Sequence, residues 1–277
     1  VGVQRRRLDA ELVRRKIARS REQAVAMIKD GRVEVGGFPA LKPATVVEPE
    51  ASIKVAASSE KEWASRGAHK LLGALDAFEP RGLSLRGLRV LDAGASTGGF
   101  TDVLLDREVA EVVAVDVGYG QLVWRLQNDD RVKVFDRTNV RHLTPDVIGG
   151  TCQAMVGDLS FISLELVLPA IVSCMETGAQ LLPMVKPQFE VGKEKLGHGG
   201  VVRSIEHRQD AVLGVAQRAL ELGLSYRGVA ASPLPGPSGN VEFFLWLEKT
   251  DNVENATLKL TEEQQEEIRN VVEEASR

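Results

Sequence analysis

The hydrophobic positions of this chain change their period as the sequence proceeds. Near the amino end Leu8, Leu12 and Ile17, and then Ala24, Met27 and Ile28, recur at helical spacing. Ser20 followed by Gln23 has the form of a capping box that opens the second helix, and Gly31 supplies a left-handed stop after it. Past Gly31 the period becomes two. Val33 and Val35 alternate with charged residues, Gly36-Gly37 is a hairpin signal, and the alternation returns at Ile53 and Val55. Two short helices followed by a small β-element are therefore expected.

The stretch from Ser58 to Ala64 is polar apart from Trp63 and reads as a linker. From Arg66 to Glu248 apolar, β-branched runs alternate with amphipathic stretches: Arg89–Leu91, Val112–Val115, Val132–Val134, Ala154–Val156, Gln180–Val185 and Val241–Leu247. Strands spaced by helices predict an α/β fold, a doubly wound parallel sheet covered on both faces. Beyond Glu248, Thr261 and Gln264 form a further capping box before an acidic helix. Its apolar periodicity (Leu260, Ile268, Val271, Val272) is weak, so the tail reads as a surface appendage. The expected organisation is a first domain over 1–58, a linker over 59–65, the α/β domain over 66–249 and a tail over 250–277, without internal repeats.

Composition adds a polarity to this layout. The 277 residues, 43% hydrophobic and 27% charged, are ordinary globular material with room for one large domain and one small one. The net charge of -4 conceals an asymmetry: residues 1–32 hold ten Lys/Arg against four Asp/Glu, whereas residues 250–277 hold eight acids against three bases. The basic end suggests a polyanion partner. The two cysteines, Cys152 and Cys174, form no CxxC, so neither a disulfide framework nor a zinc site is indicated and a reducing cytoplasm fits. His69, His142, His198 and His207 are scattered without metal-ligand spacing, and no metal is required. No apolar run approaches the ~18–20 residues of a membrane helix. Arg5-Arg-Arg7 leads into Asp9 and Glu11 with no apolar stretch behind it, so it is not read as a signal peptide.

The most informative motif is Val90-Leu-Asp-Ala-Gly-Ala-Ser-Thr-Gly-Gly-Phe-Thr101. A glycine-rich turn after a first strand lets backbone approach a ligand closely. The order Asp92-Ala-Gly94-Ala-Ser96-Thr97-Gly98-Gly99-Phe100 lacks the GxGxxG spacing that seats a pyrophosphate on a helix end. Asp92 before the turn suits a cationic sulfonium and amino-acid ligand, S-adenosylmethionine, better than a diphosphate. Asp116, after the second strand run, stands where an acid holds ribose hydroxyls, and Asp136, after the third, could meet the adenine amine.

The acceptor is narrowed by elimination. Carbon methylation of pyrimidines needs a cysteine nucleophile, and Cys152, read as a loop residue, and Cys174, read as helical, both look structural. Methylation of base amines uses a Pro-Pro-aromatic after the acid of the fourth strand, where this chain has Asp158-Leu-Ser-Phe161. A ribose hydroxyl instead needs a base and positive charge where an alkoxide develops, and lysine can supply both. Lys186 ends the apolar run Leu181–Val185, Lys70 follows Ser65-Arg-Gly-Ala-His69, and Glu242 enters the last strand after Gly236-Pro-Ser-Gly239. The segment from Gly192 to Arg203, rich in glycine and charge, reads as a mobile loop beside Lys186.

At these residues the chain resembles a family. Lys70, Asp158, Lys186 and Glu242 are similar to the Lys-Asp-Lys-Glu tetrad of ribose 2'-O-methyltransferases of the FtsJ/RrmJ type. Arg7-Leu-Asp9, Ser20-Arg21, Gly31 and Val33-Glu-Val-Gly36 resemble the S4 RNA-binding module. Their fusion resembles the TlyA family of ribosomal RNA cytidine 2'-O-methyltransferases, also labelled haemolysins. The resemblance implies a Rossmann-like methyltransferase sheet behind a small α+β S4 domain, S-adenosylmethionine as cofactor, and ribosomal RNA within ribosomal subunits as partner. It implies that Arg5, Arg6, Arg7, Arg19 and Arg21 contact phosphates. Two departures stand out: Val35-Gly36-Gly37 replaces the usual Val-Asn-Gly, and Lys61-Glu-Trp63-Ala64 replaces an Arg-x-Trp-Val linker. An S4 ribosome-associated factor with an inactive methyltransferase fold and a membrane-active haemolysin are the competing readings.

Overall fold

The computed structural model describes residues 5–18, 20–56, 61–236, 238–250 and 259–277. The chain divides into two compact units, Val1–Glu62 and Trp63–Arg277. Arg19 and the expected boundary at residues 58 and 59 lie outside the described residues.

In the first unit, strand β1 (Arg6–Arg7) leads directly into helix α1 (Leu8–Arg14), and α2 (Arg21–Lys29) follows. The α2 amino terminus is capped as the sequence suggests, with the Ser20 hydroxyl accepting from the Gln23 amide. Ile17 does not extend α1. Lys16 takes a left-handed φ of 58°, which ends the helix and leaves Ile17 at the surface. Strands β2 (Val33–Val35), β3 (Phe38–Pro39), β4 (Val46–Val47) and β5 (Ile53–Val55) follow. β2 pairs antiparallel with β3 and β5, the β2–β3 turn being made by Gly36 and Gly37 at φ 59° and 86°, while β1 pairs with β4. Leu8, Leu12, Ala24, Ile28 and Val33 are fully buried and form the core of this unit.

The second unit begins with α3 (Gly67–Phe78) and continues β6 (Arg89–Ala93), α4 (Gly99–Asp106), β7 (Glu111–Val115), α5 (Trp124–Gln127), β8 (Val132–Phe135), α6 (Pro145–Ile148) and β9 (Cys152–Gly157). It ends with α7 (Leu164–Ser173), β10 (Met175–Val185), α8 (Pro187–Glu190), α9 (Ile205–Glu221), β11 (Leu224–Ala231), β12 (Phe243–Lys249) and α10 (Glu262–Glu274). The strands form one seven-stranded sheet in the order β11-β12-β10-β9-β6-β7-β8.

Side-chain alternation along each strand divides the core between the two faces of the sheet. Leu91, Val113, Met155, Leu181 and Leu245 pack with α7, α9 and α10, whereas Val90, Val112, Ala154, Leu182 and Phe244 pack with α3 and α4. Strands buried on both faces therefore read as continuous apolar runs.

Three expectations need correction. The sheet is mixed, because β12 lies antiparallel between β10 and β11. The strand β11, an edge strand with Gly228 and a register shift within it, carries no apolar run that the sequence pattern would single out. Cys152 is not in a loop; it is the first residue of β9 and fully buried, and burial pushes its thiol up to about 11. Nor is the acidic tail an appendage. Ile268 and Val272 on α10 are completely buried against α9 and β11 and join the core of one sheet face. No helix among the described residues is long and apolar enough to cross a membrane.

Candidate active site

The carboxyl ends of the central strands converge on a cleft of about 330 Å³ lined by Ser65, Arg66, Gly67, Lys70, Gly94, Ser96, Thr97, Gly99, Phe100, Asp158, Ser160 and Lys186, among others. Ligand sites of doubly wound sheets lie at this edge. The turn after β6 forms its floor. Gly94 has a φ of 88°, and a Cβ there would fall 2.9 Å from the Asp158 carbonyl oxygen, so only glycine lets the turn close against the end of β9. Ser96 is also left-handed, at φ 48°. Gly98, at φ 98°, opens α4 with Leu122 and Leu126 packed against it, and Phe100 stacks at 6.0 Å on Phe244 beneath the cleft.

The three acids expected at strand ends occupy different situations. Asp92 is completely buried; Thr101 Oγ1 donates to its Oδ2 at 2.7 Å, and its Oδ1 has no hydrogen-bond partner among the described residues. Asp116 accepts from Gly118 N at 2.7 Å and Ser96 N at 2.8 Å, and Asp136 accepts from Gly120 N at 2.8 Å. These two carboxylates shape the loop after β7, and neither contributes to the lining of the cleft.

Burial pushes the Asp92 carboxyl up to about 7, with the Thr101 hydrogen bond opposing the shift and the Asp158 charge adding to it. The ordinary value is 3.8, so across the window from there to about 7 the unfolded chain has released a proton that the folded chain keeps. The contribution of Asp92 to stability therefore falls as pH rises through that window and levels off above it. Urea melts of the wild type and Asp92→Asn at closely spaced pH values are expected to show the variant gaining relative stability between about pH 4 and 7. A difference that stays flat would remove this account of Asp92.

The tetrad residues come together as a chain of charges. Glu242, which precedes β12 and is 1% exposed, accepts from Lys70 Nζ at 2.6 Å. Lys70 Nζ is 3.8 Å from Asp158 Oδ2, and Asp158 Oδ1 is 2.5 Å from Lys186 Nζ. Both lysines are buried. Gly236 makes room for the acid at the far end, since a Cβ there would stand 2.5 Å from Glu242 Oε1.

Sequence reasoning overlooked several participants. Ser160 Oγ accepts from Lys186 Nζ at 2.8 Å, so the chain ends on a hydroxyl at the cleft wall. Phe161 is 91% exposed at a left-handed φ of 64°, its ring centroid 5.3 Å from that of Phe189, and it offers an open aromatic face beside the site. Glu190 accepts from Ser163 Oγ and Leu164 N, tying the loop after β9 to α8. Asp102 accepts from Ala64 N at 2.8 Å and from both terminal nitrogens of Arg125, joining the segment before α3 to α4 and α5 around the glycine turn. No spacing rule announces such contacts. Ser160 and Phe161 stand within the Asp158-Leu-Ser-Phe161 motif, the one sequence signal that points to them.

The loop expected to be mobile is anchored at its carboxyl half. Val202 is fully buried, its amide donates to Asn240 Oδ1, and its carbonyl accepts from Arg208 Nε.

The FtsJ-like methyltransferase model matches residues 63–249, and the S4 domain model matches residues 6–53. The 16S/23S rRNA (cytidine-2'-O)-methyltransferase TlyA of Mycobacterium tuberculosis is 60% identical over 243 residues, which cover 88% of this chain and 90% of that protein. The chain belongs to the TlyA family. A Bacillus subtilis relative, YqxC, named as an rRNA methyltransferase, is 37% identical over 97% of this chain and 93% of its own length. A solved structure from Streptococcus thermophilus, carrying the name hemolysin, superposes with a TM-score of 0.73 at 36% identity, covering 99% of this chain and 96% of that one. The Rossmann-like methyltransferase unit and the small S4 unit are thus family features, and the tetrad stands within the residues matched by the methyltransferase model.

Proposed function

We propose that this chain is an S-adenosylmethionine-dependent methyltransferase that modifies the 2'-hydroxyl of cytidine in 16S rRNA, 23S rRNA or both. The observation that carries the reading is the linked series Glu242, Lys70, Asp158, Lys186 and Ser160 ending on the wall of the cleft whose floor is the glycine turn. The substrate named for the Mycobacterium tuberculosis relative supports cytidine ribose as the acceptor.

The residues present fit the cofactor. The unpartnered Oδ1 of buried Asp92 is suited to a cationic ligand, and the Gly94 turn leaves space where any side chain would collide. Gly94, Ser96, Thr97, Gly98, Gly99 and Phe100 would hold the amino-acid and sulfonium portion; Asp116 and Asp136, which order the loop after β7 and do not themselves line the cleft, are assigned the ribose hydroxyls and the adenine amine. S-adenosylmethionine, when bound, supplies an electrophilic methyl group.

Lys186 acts on the acceptor. Two of its hydrogen-bonding directions are taken by Asp158 and Ser160, which leaves one for the 2'-oxygen. A donor fixed there favours the alkoxide; for Lys186 to take up the hydroxyl proton it must first pass one of its own to Asp158, 2.5 Å away, so the proton lost by the hydroxyl ends on the Asp158 carboxylate and Lys186 stays an ammonium beside the oxygen. Lys70 holds Asp158 in orientation, and Glu242 holds Lys70. The two lysines and two acids of this series compensate one another before the RNA arrives. Much of the rate then comes from alignment, which can supply about 7–11 kcal/mol of a barrier. The amino-terminal unit brings the substrate: Arg5, Arg6, Arg7, Arg19 and Arg21 contact phosphates, which position without reading sequence. A ribosomal substrate puts the reaction in the cytoplasm.

The test is direct. Purified protein, S-adenosylmethionine and unmodified ribosomal subunits are incubated, and the rRNA is digested and mapped by mass spectrometry. A new 2'-O-methylcytidine is expected; methyl groups on base atoms, or none at all, would reject the proposal.

A further inference from the structure

The eight arginines among residues 1–32 look equivalent in sequence, yet the structure uses those it describes in quite different ways. Arg15 spends its guanidinium internally: Nε bonds Glu11, Nη1 the Ala51 carbonyl and Nη2 the Pro49 carbonyl. Arg5 forms an exposed pair with Glu48 of the kind that contributes little. Arg7 and Arg21 differ from both. They come from separate elements, the end of β1 and the first turn of α2, and share one carboxylate, that of Asp9.

Asp9 is 3% exposed, whereas the Arg7 and Arg21 side chains are 52% and 61% exposed. Arg7 commits Nε and Nη2 to Asp9 at 3.1 and 2.8 Å, and Arg21 commits Nη2 at 3.2 and 3.3 Å. No hydrogen bond among the described residues engages Nη1 of either arginine or Nε of Arg21. The backbone holds the acid in place, since Asp9 N donates to the Pro43 carbonyl and Leu8 N to the Thr45 carbonyl. The Arg7 hydrogen bond keeps the Asp9 carboxyl down at about 2, so it stays ionised throughout the neutral range.

We infer that Arg7 and Arg21 form a clamp for one backbone phosphate of RNA, and that Asp9 is the positioning residue that assembles it. Two guanidinium groups brought to one place repel each other, and a buried carboxylate between them offsets that repulsion while fixing both planes. The trio carries a net single positive charge, matching a phosphodiester. The guanidinium edges turned away from Asp9 are planar donor forks of the type that grip phosphate oxygens. This inference rests on the RNA-binding reading of the amino-terminal unit and adds to it that affinity there depends on an acid.

The role of Asp9 can be separated from general electrostatics because the two predict opposite signs. If only charge mattered, Asp9→Asn would add one unit of positive charge to a polyanion-binding face and tighten binding. Under the clamp, the same change is expected to weaken binding of the full-length protein to unmodified ribosomal subunits about tenfold, the worth of one charge-assisted hydrogen bond. The measurement is repeated in the Arg7→Ala/Arg21→Ala background, where Asp9→Asn should alter affinity less than about twofold, since neighbours acting through one another are not additive. Tighter or unchanged binding by Asp9→Asn overturns the clamp, and so does an equal loss in both backgrounds, which marks a purely structural effect. Should thermal melts show Asp9→Asn to be unfolded, Asp9→Glu replaces it, with a smaller loss expected in the wild-type background alone. If the double arginine variant binds as well as wild type, the RNA-binding reading of this face fails, and the clamp with it.

Discussion

Lys186→Ala is expected to lower the rate of methyl transfer about 10³-fold while S-adenosylmethionine affinity changes by no more than a few-fold. The size follows from what is removed: a donor poised at a developing alkoxide and a participant in proton uptake, each typically worth about 10²–10³ or more. Asp158 would keep only Lys70, at 3.8 Å, and would lose its 2.5 Å contact with Lys186. Lys186→Arg is informative beside it, because arginine preserves the charge but cannot accept a proton near neutrality; it should remain almost as impaired. Initial rates with labelled cofactor give the first quantity and calorimetric titration the second. Residual turnover within tenfold of wild type would show that alignment alone performs the chemistry.

The site was legible to the extent that its chemistry sits at strand ends. Asp92, Asp116, Asp136, Asp158 and Lys186 each lie within or directly after an apolar run, and the carboxyl edge of a sheet turns such positions into neighbours even when they are far apart in sequence. Glu242 reaches the same edge by a different route. It precedes β12, whose antiparallel direction puts its beginning where the parallel strands finish. A parallel assignment of that strand would carry Glu242 to the opposite edge, so the expected topology alone does not bring the four residues together. Contacts made by loops were invisible for a different reason. Asp102 looks like one more residue of an amphipathic helix until Ala64 and Arg125 are brought to it, and Asp9 looks like a break in a basic run until Arg7 and Arg21 close around it. Both are buried acids that organise basic or backbone donors. Hydropathy patterns treat such residues as polar surface, since the burial that reveals them exists only after folding.

The acidic tail makes the same point on the scale of a whole helix. Thr261 and Gln264 form the reciprocal capping box that the sequence announces, so the start of α10 was readable. Its attachment was not, because a helix with six glutamates among thirteen residues presents a narrow apolar stripe. Ile268 and Val272, one turn apart, occupy that stripe and are completely buried. Glu267 reinforces the contact by accepting from the Tyr226 hydroxyl at 2.9 Å and pairing with Arg81, and burial together with that carboxylate pushes the Tyr226 hydroxyl well above its ordinary value. Ile268→Ala is therefore expected to destabilise the catalytic unit by about 2–5 kcal/mol, the range for truncating a fully buried aliphatic side chain. The surface change Glu263→Ala on the same helix should stay within about 0.5 kcal/mol. Urea denaturation of both variants against wild type measures the contrast. Equal, small effects would return the helix to the status of an appendage, whereas a large loss confined to Ile268 would establish that the acidic segment completes the core beneath one face of the catalytic sheet.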